Sequence, residues 1–278
     1  MALITGQKIA TFYELFKDID VTFSKELIQV TGLVTQQVHL KCASDFWPCV
    51  IYSSSFQGAK VVANVQSGII QKLQKTNNSV NLRFCFKSSD SDTPVTFFVT
   101  ARVAGHTPYG GSNDMALFTL QYTQRPPDDL IEIMGRVLEA NINSAKRKDE
   151  RIALSPEIIR KLKINAKEAA VFIQKVPRRC MLRDISFNGA KIIMLGVAKF
   201  LINREAALRI DFDDPKESFL IPGTFVRSED VEGRKELVAL GLDFKEPVSM
   251  GYKMRLNDYL STKVESRVEP GTETQDSP

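Results

Sequence analysis

Short alternating runs of apolar and polar residues dominate the first half of the chain, at Val21–Leu33, Gln37–Cys42, Pro48–Tyr52, Gly58–Val65, Val80–Lys87, Val95–Val103 and Met115–Tyr122. Runs of this length with period-two alternation or β-branched residues predict strands, because successive strand side chains face opposite sides of a sheet. Polar, glycine-bearing segments such as KSSDSD and HTPYGGSND separate them and predict turns. A second set follows at Ala169–Val176, Arg179–Asp184, Ala190–Leu195, Ala207–Phe212, Phe219–Val226 and Lys235–Phe244. The expected fold class is mainly β, with two small β-barrel domains.

Between the two sets the period lengthens. Pro126 and Pro127 end the preceding strand, and Asp128 or Asp129 can cap the free amides of a new helix. Leu130, Ile133, Met134, Val137 and Leu138 then recur at helical spacing on one face. An amphipathic helix joining two β domains is the reading, ending in Lys146-Arg147-Lys148, a favourable charge for a helix C-terminus.

The halves also resemble each other. CVIYSSSFQGAKVV (Cys49–Val62) lies over CMLRDISFNGAKII (Cys180–Ile193), 131 positions on. NLRFCFK (Asn81–Lys87) lies near ALRIDFD (Ala207–Asp213), and MALFTLQY (Met115–Tyr122) near LVALGLDF (Leu237–Phe244). Three matches in the same order favour a duplicated domain, with convergent β-barrel patterning as the alternative. The copies differ where charge matters: Tyr52-Ser53-Ser54-Ser55 in the first stands against Arg183-Asp184-Ile185-Ser186 in the second. The first copy is therefore read as structural and the second as ligand-binding.

Composition bounds the function. The 278 residues are 43% hydrophobic and 25% charged, enough to bury real cores. No apolar run approaches the roughly 18 residues of a membrane span, and the N-terminal residues lack a signal-peptide pattern. Cys42, Cys49, Cys85 and Cys180 form no CxxC pair, so a reduced cytoplasmic protein is expected. The formal charge is +4, but it is unevenly spread. Between Lys146 and Arg183 twelve basic residues stand against Asp149, Glu150, Glu157 and Glu168, a local surplus of eight that leaves the remainder negative. Such concentration points to an anionic partner.

The densest chemistry is an RxxxR at Arg147 and Arg151 followed by a DxSxxG at Asp184, Ser186 and Gly189. Guanidinium groups can grip phosphate, or the O6/N7 edge of guanine, through two parallel hydrogen bonds. Asp184 can accept from the opposite edge of guanine, and Ser186 can donate to a phosphate or tie the turn. Gly189 would permit a positive φ and close backbone approach. Lys146, Lys148, Arg179 and Arg183 are possible additional contacts; Arg178, Arg179 and Arg183 either extend the pocket or pair with carboxylates such as Glu168 or Glu205. Lys191 recurs as Lys60 in the first copy and reads as structural; Phe56 and Phe187, also shared, read as core. Trp47 is read as core or as a partner-facing aromatic. His39, Cys42 and Cys49 lack metal-ligand spacing, no P-loop occurs, and no catalytic constellation is found, so neither a metal, a cofactor nor an enzyme activity is expected.

RKDER followed by DISFNG resembles the signature of PilZ domains, receptors for the bacterial second messenger cyclic di-GMP, over Ala145 to Leu260. The upstream half resembles the PilZ-like N-terminal domain fused to PilZ in spirochaete-type proteins. The resemblance implies a β-barrel with a short closing helix near Val248–Leu260. It also implies cyclic di-GMP as ligand, held by Arg147, Arg151, Asp184, Ser186 and Gly189, and a downstream protein partner linked to motility or surface behaviour. The expected division is a PilZ-like domain at 1–124, a linker helix at 125–144, a PilZ domain at 145–262 and a disordered tail at 263–278. One departure from compact family members is the long gap SPEIIRKLKINAKEA, which holds two possible helical turns. The alternative function is a nucleic-acid-binding module using residues 146–183, though Phe172 is the only aromatic there to stack on a base.

Overall fold

The computed structural model describes residues 5–88 and 91–268. The chain divides between Leu138 and Glu139 into two compact units, each of them mainly antiparallel β-sheet.

The first unit opens with helix α1 (Gly6–Phe16), capped by the Thr5 side chain and burying Ile9, Phe12 and Phe16. Strand β1 (Val21–Thr22) and helix α2 (Lys25–Thr31) follow. The single strand expected over Val21–Leu33 is thus mostly helix. Ser24 caps it by accepting from the Leu27 amide, and Gly32 ends it at φ 71°. These local signals outweigh the β-branched residues, because one capped turn satisfies amides that no neighbouring strand reaches.

Then come β2 (His39–Cys42), β3 (Asp45–Ser54), β4 (Gly58–Asn64), helix α3 (Ile69–Lys75), β5 (Ser79–Ser88), β6 (Ser91–Tyr109) and β7 (Ser112–Tyr122). Gly110 and Gly111, both at positive φ, close the β6–β7 hairpin in two residues, as a primed turn requires. The strands pair in the order β3-β2-β5-β6-β7-β4, and β4 returns to β3, so the sheet closes on itself. Closure gives each of β2–β7 a partner on both sides, with β1 added on β3, and Leu40, Val61, Leu82, Phe84 and Phe118 are buried. Trp47 is core, its indole donating to the Ser67 carbonyl.

Helix α4 (Asp128–Lys146) spans the division between units. Leu130, Ile131, Met134, Val137 and Leu138 are buried, so Ile131 takes the place expected for Ile133, which is half-buried.

The second unit runs β8 (Ile152–Ala153), α5 (Pro156–Leu162), β9 (Ala170–Ile173), β10 (Val176–Arg179), β11 (Met181–Ile185), β12 (Gly189–Leu195), α6 (Ala198–Leu201), β13 (Glu205–Asp213), β14 (Lys216–Asp230), β15 (Leu237–Phe244) and α7 (Met250–Val268). Its ladder is β10-β9-β13-β14-β15-β12-β11-β8. Only Cys180 separates β10, at one end of the ladder, from β11, which pairs with β8 at the other; together β10 and β11 match the single strand β3 of the first unit. Helix α5 sits in the long gap noted in the sequence, capped by Ser155 with Pro156 at its start. Helix α7 is longer than the expected Val248–Leu260; residues 269–278 of the expected tail lie outside the described residues.

The duplication is visible in register. Val21 and Thr22 pair with Ser54 and Ser53, as Ile152 and Ala153 pair with Ile185 and Asp184. The β3–β4 register shifts between Ile51 and Ser53, and the β11–β12 register shifts between Leu182 and Asp184, at matching positions. Ser24 and Ser155 cap α2 and α5, which both end in a left-handed residue, Gly32 and Lys163. Irregularities inherited in place argue for a common ancestor of the two units more strongly than strand patterning does.

Candidate functional site

Arg147 leaves the last turn of α4, its amide donating to the Asn143 carbonyl at 2.8 Å. A tight reversal follows, with the Glu150 amide donating to the Arg147 carbonyl at 3.0 Å. The chain then enters β8, where Ile152 pairs with Ile185 and Ala153 with Asp184. That pairing sets Arg151, the residue just ahead of β8, against the acidic member of the second motif. Arg151 Nη1 donates to Asp184 Oδ1 at 2.5 Å. The two motifs, separated by 32 residues of sequence, meet here.

Gly189 lies beside the contact. A Cβ at this position would lie 3.6 Å from Arg151 Nη2 and 2.6 Å from the Leu242 carbonyl oxygen. Its backbone is not in the positive-φ region, contrary to expectation. Gly189 begins β12 and pairs with Asp243, so the need for glycine is close approach of the β15 backbone and not a left-handed turn. Gly58 has the same relation to the Leu120 carbonyl in the first unit.

Ser186 is buried and serves the turn. Its hydroxyl donates to Asn188 Oδ1 at 2.9 Å, and its amide donates to the Gly189 carbonyl at 2.8 Å. The Ser186 carbonyl accepts from the Tyr252 hydroxyl at 2.9 Å. Tyr252 is fully buried, and burial raises the pKa of its phenol well above the ordinary value, so the group stays protonated and donates. No motif marks Tyr252. The available signal is its alignment in the closing helix with apolar Leu130 of the first copy, where a hydroxyl is gained.

Arg147 is half-buried, its Nη1 3.9 Å from Glu150 Oε2. Lys146, Lys148, Arg178, Arg179 and Arg183 are exposed. All four residues of β10 are exposed, so Arg178 and Arg179 sit on an edge strand open to solvent. Lys191 pairs with Glu229 Oε2 at 2.5 Å, which also holds that carboxyl below its usual pKa. Phe187 and Phe56 are core. Among the described residues no cluster of three or more His, Cys, Asp or Glu could hold a metal, and no helix is long and apolar enough to cross a membrane.

The first unit fills the matching place differently. Asp20 stands where Arg151 does, and Phe16 where Arg147 does. Asp20 Oδ2 accepts from the buried Ser53 hydroxyl at 3.0 Å and from Lys60 at 3.2 Å. The arginine-carboxylate pair of one copy is an aspartate-serine bond in the other, and Phe16 is buried in the core. Of the two matching places, that of the second unit alone carries guanidinium groups, Arg147 and Arg151.

Residues 7–141 match the model of the PilZN3 domain, and residues 145–262 that of the PilZ domain. A protein of Treponema denticola named cyclic di-GMP binding protein is 47% identical over 263 residues, covering 94% of this chain and 84% of the relative. Among solved structures, the Borreliella burgdorferi PlzA protein in complex with c-di-GMP aligns over 91% of this chain and 98% of its own, at 23% identity and a TM-score of 0.41. Escherichia coli YcgR in complex with c-di-GMP aligns over 87% of this chain and 89% of its own, at 12% identity and a TM-score of 0.30.

Proposed function

Because the chain belongs to the PilZ family, with a PilZN3 domain ahead of its PilZ domain, we propose that it is a receptor for cyclic di-GMP. One observation carries the reading: Arg151 and Asp184 meet beside Gly189, joining the RxxxR and DxSxxG motifs into one exposed cationic clasp. A cyclic dinucleotide offers two phosphates and two guanines, and the clasp offers what both need. Arg147 and Arg151 supply forked donors for phosphate oxygens and the guanine O6/N7 edge, with Asp184 as acceptor for a guanine N–H. Lys146, Lys148, Arg179 and Arg183 add positive charge around it. Ser186 and Gly189 act mainly by shape, the first tying the turn and the second letting the β15 backbone approach closely. The named Treponema relative supports the same ligand. Nothing in the clasp activates a nucleophile, so the role is binding and relay, not turnover.

Ligand capture would order the Lys146–Arg151 segment, which continues directly from α4. Since α4 spans both units, this ordering can change the relation of the two units and expose a surface for a downstream protein controlling motility or surface behaviour. Titration of the purified chain with cyclic di-GMP, with GTP and cyclic di-AMP as controls, tests the binding; absence of saturable heat defeats it. Small-angle scattering with and without ligand tests the relay, which identical profiles defeat.

A further inference from the structure

We propose that Asn257, on the closing helix α7, is a positioning residue for the arginine clasp: it fixes the end of α4 from which Arg147 departs, and thereby sets the affinity for ligand. The inference rests on the cyclic di-GMP reading above.

Asn257 is buried, with 2% of its surface exposed, and both ends of its amide are used. Its Oδ1 accepts from Asn143 Nδ2 at 2.7 Å, and its Nδ2 donates to Glu139 Oε2 at 2.9 Å. Asn143 is also the residue whose carbonyl accepts from the Arg147 amide. One buried side chain therefore reads two successive turns of α4 and holds the last turn before the clasp. The same helix holds the other motif, through the Tyr252 hydroxyl on the Ser186 carbonyl. Helix α7 is thus a splint across both halves of the site, although neither Asn257 nor Tyr252 belongs to either motif. Glu139 and Asn143 lie ahead of the residues that match the PilZ domain model.

The first unit supplies an internal comparison. Its own closing segment begins at Asp128, six residues after Tyr122, as α7 begins at Met250, six after Phe244. In that alignment Gly135 matches Asn257, and through the repeat Phe12 matches Asn143. The joint in the first unit is apolar: the Phe12 ring occupies the space where a Cβ of Gly135 would be. A buried ring against a glycine holds two helices together without a desolvated amide or carboxylate. The second unit uses the polar joint although burying polar groups is costly unless they are fully paired. What hydrogen bonds add is direction, since they fix rotation and register of a helix end that apolar contact leaves free. The unit with the polar joint is the one whose helix end carries the arginines.

The effect on binding follows from populations. If the last turn of α4 is held in the binding-competent form only a tenth of the time, the apparent affinity falls about tenfold. Asn257→Ala and, as a second route to the same bond, Asn143→Ala are compared with Leu260→Ala, which loosens the packing of the same helix without touching the network. Two readouts are taken on the full chain: calorimetric affinity for cyclic di-GMP, and amide hydrogen exchange of residues 143–151 without ligand. Both asparagine variants are expected to bind about tenfold more weakly and to exchange faster across that segment, with Leu260→Ala retaining wild-type affinity and exchange there. Wild-type affinity in both asparagine variants, or an equal loss in Leu260→Ala, overturns the proposal. Should the wild-type chain not bind cyclic di-GMP, the ligand reading fails by itself; unchanged exchange in the asparagine variants then overturns the positioning role separately.

Discussion

Arg151 Nη1 lies 2.5 Å from Asp184 Oδ1, joining two motifs that the sequence keeps far apart. The guanidinium is 37% exposed and the carboxylate 19%, so the pair is screened and contributes no more than about 1 kcal/mol to stability. Its importance is orientation of Arg151. Arg151→Ala and Asp184→Ala are each expected to leave the thermal midpoint nearly unchanged and to weaken ligand binding. A double-mutant cycle on binding, measured by calorimetry, should be clearly non-additive, because the second substitution removes a contact already lost. Additive losses would show that the two side chains act independently.

Glycine at 189 is required by its neighbour. A methyl group there meets the Leu242 carbonyl at 2.6 Å, so Gly189→Ala forces β12 and β15 apart. The expected cost is about 1–3 kcal/mol in urea unfolding, together with weaker ligand binding, because a shift of β12 carries with it β11 and Asp184, which pairs with Lys191. Gly58→Ala, facing Leu120 in the first unit, should cost a similar amount of stability with binding unchanged.

Asp20 tests the division of labour between the copies. Removing its carboxylate strands the Ser53 hydroxyl, which is 1% exposed. Asp20→Ala is expected to destabilise the chain by about 1–3 kcal/mol, as for a buried polar group left without a partner. Affinity for cyclic di-GMP should not change. A loss of binding would give the first unit a direct part in ligand capture.

All four cysteines are free thiols, three of them buried. Burial pushes Cys49 and Cys180 up to about 12, where the reactive thiolate is scarce at neutral pH. A thiol reagent at pH 8 should therefore modify both slowly in the native chain and all four rapidly after unfolding in guanidinium. Fast native labelling at Cys180 would contradict the packing around β10 and β11.

The features legible in sequence were those with a local chemical signature. The Ser-Phe-x-Gly-Ala-Lys repeat exposed the duplication because both copies need the same turn and the same close strand approach. The RxxxR and DxSxxG motifs were legible because guanidinium, carboxylate and glycine are each required by type. Helix α2 was hidden: VTFSKELIQVTG carries enough β-branched residues to pass for a strand, and only its Ser24 and Gly32 ends declare it. The role of Gly189 was half legible, since a glycine that permits close approach and one that adopts positive φ look alike in sequence. Tyr252 was marked only by the hydroxyl it gains over Leu130 of the first copy, and Asn257 was not legible, because a polar residue on an otherwise apolar helix face gains its meaning from what lies across it.

Calorimetric titration of the wild-type chain against Arg147→Ala, Arg151→Ala and the double variant tests the central claim most directly. Loss of one forked contact should cost about 1–3 kcal/mol of binding. The account predicts saturable binding of cyclic di-GMP by the wild type, a weakening in each single variant, and a loss of up to ~10³–10⁴-fold in the double variant. Undiminished affinity in the double variant, or equal affinity of the wild type for GTP, would contradict it.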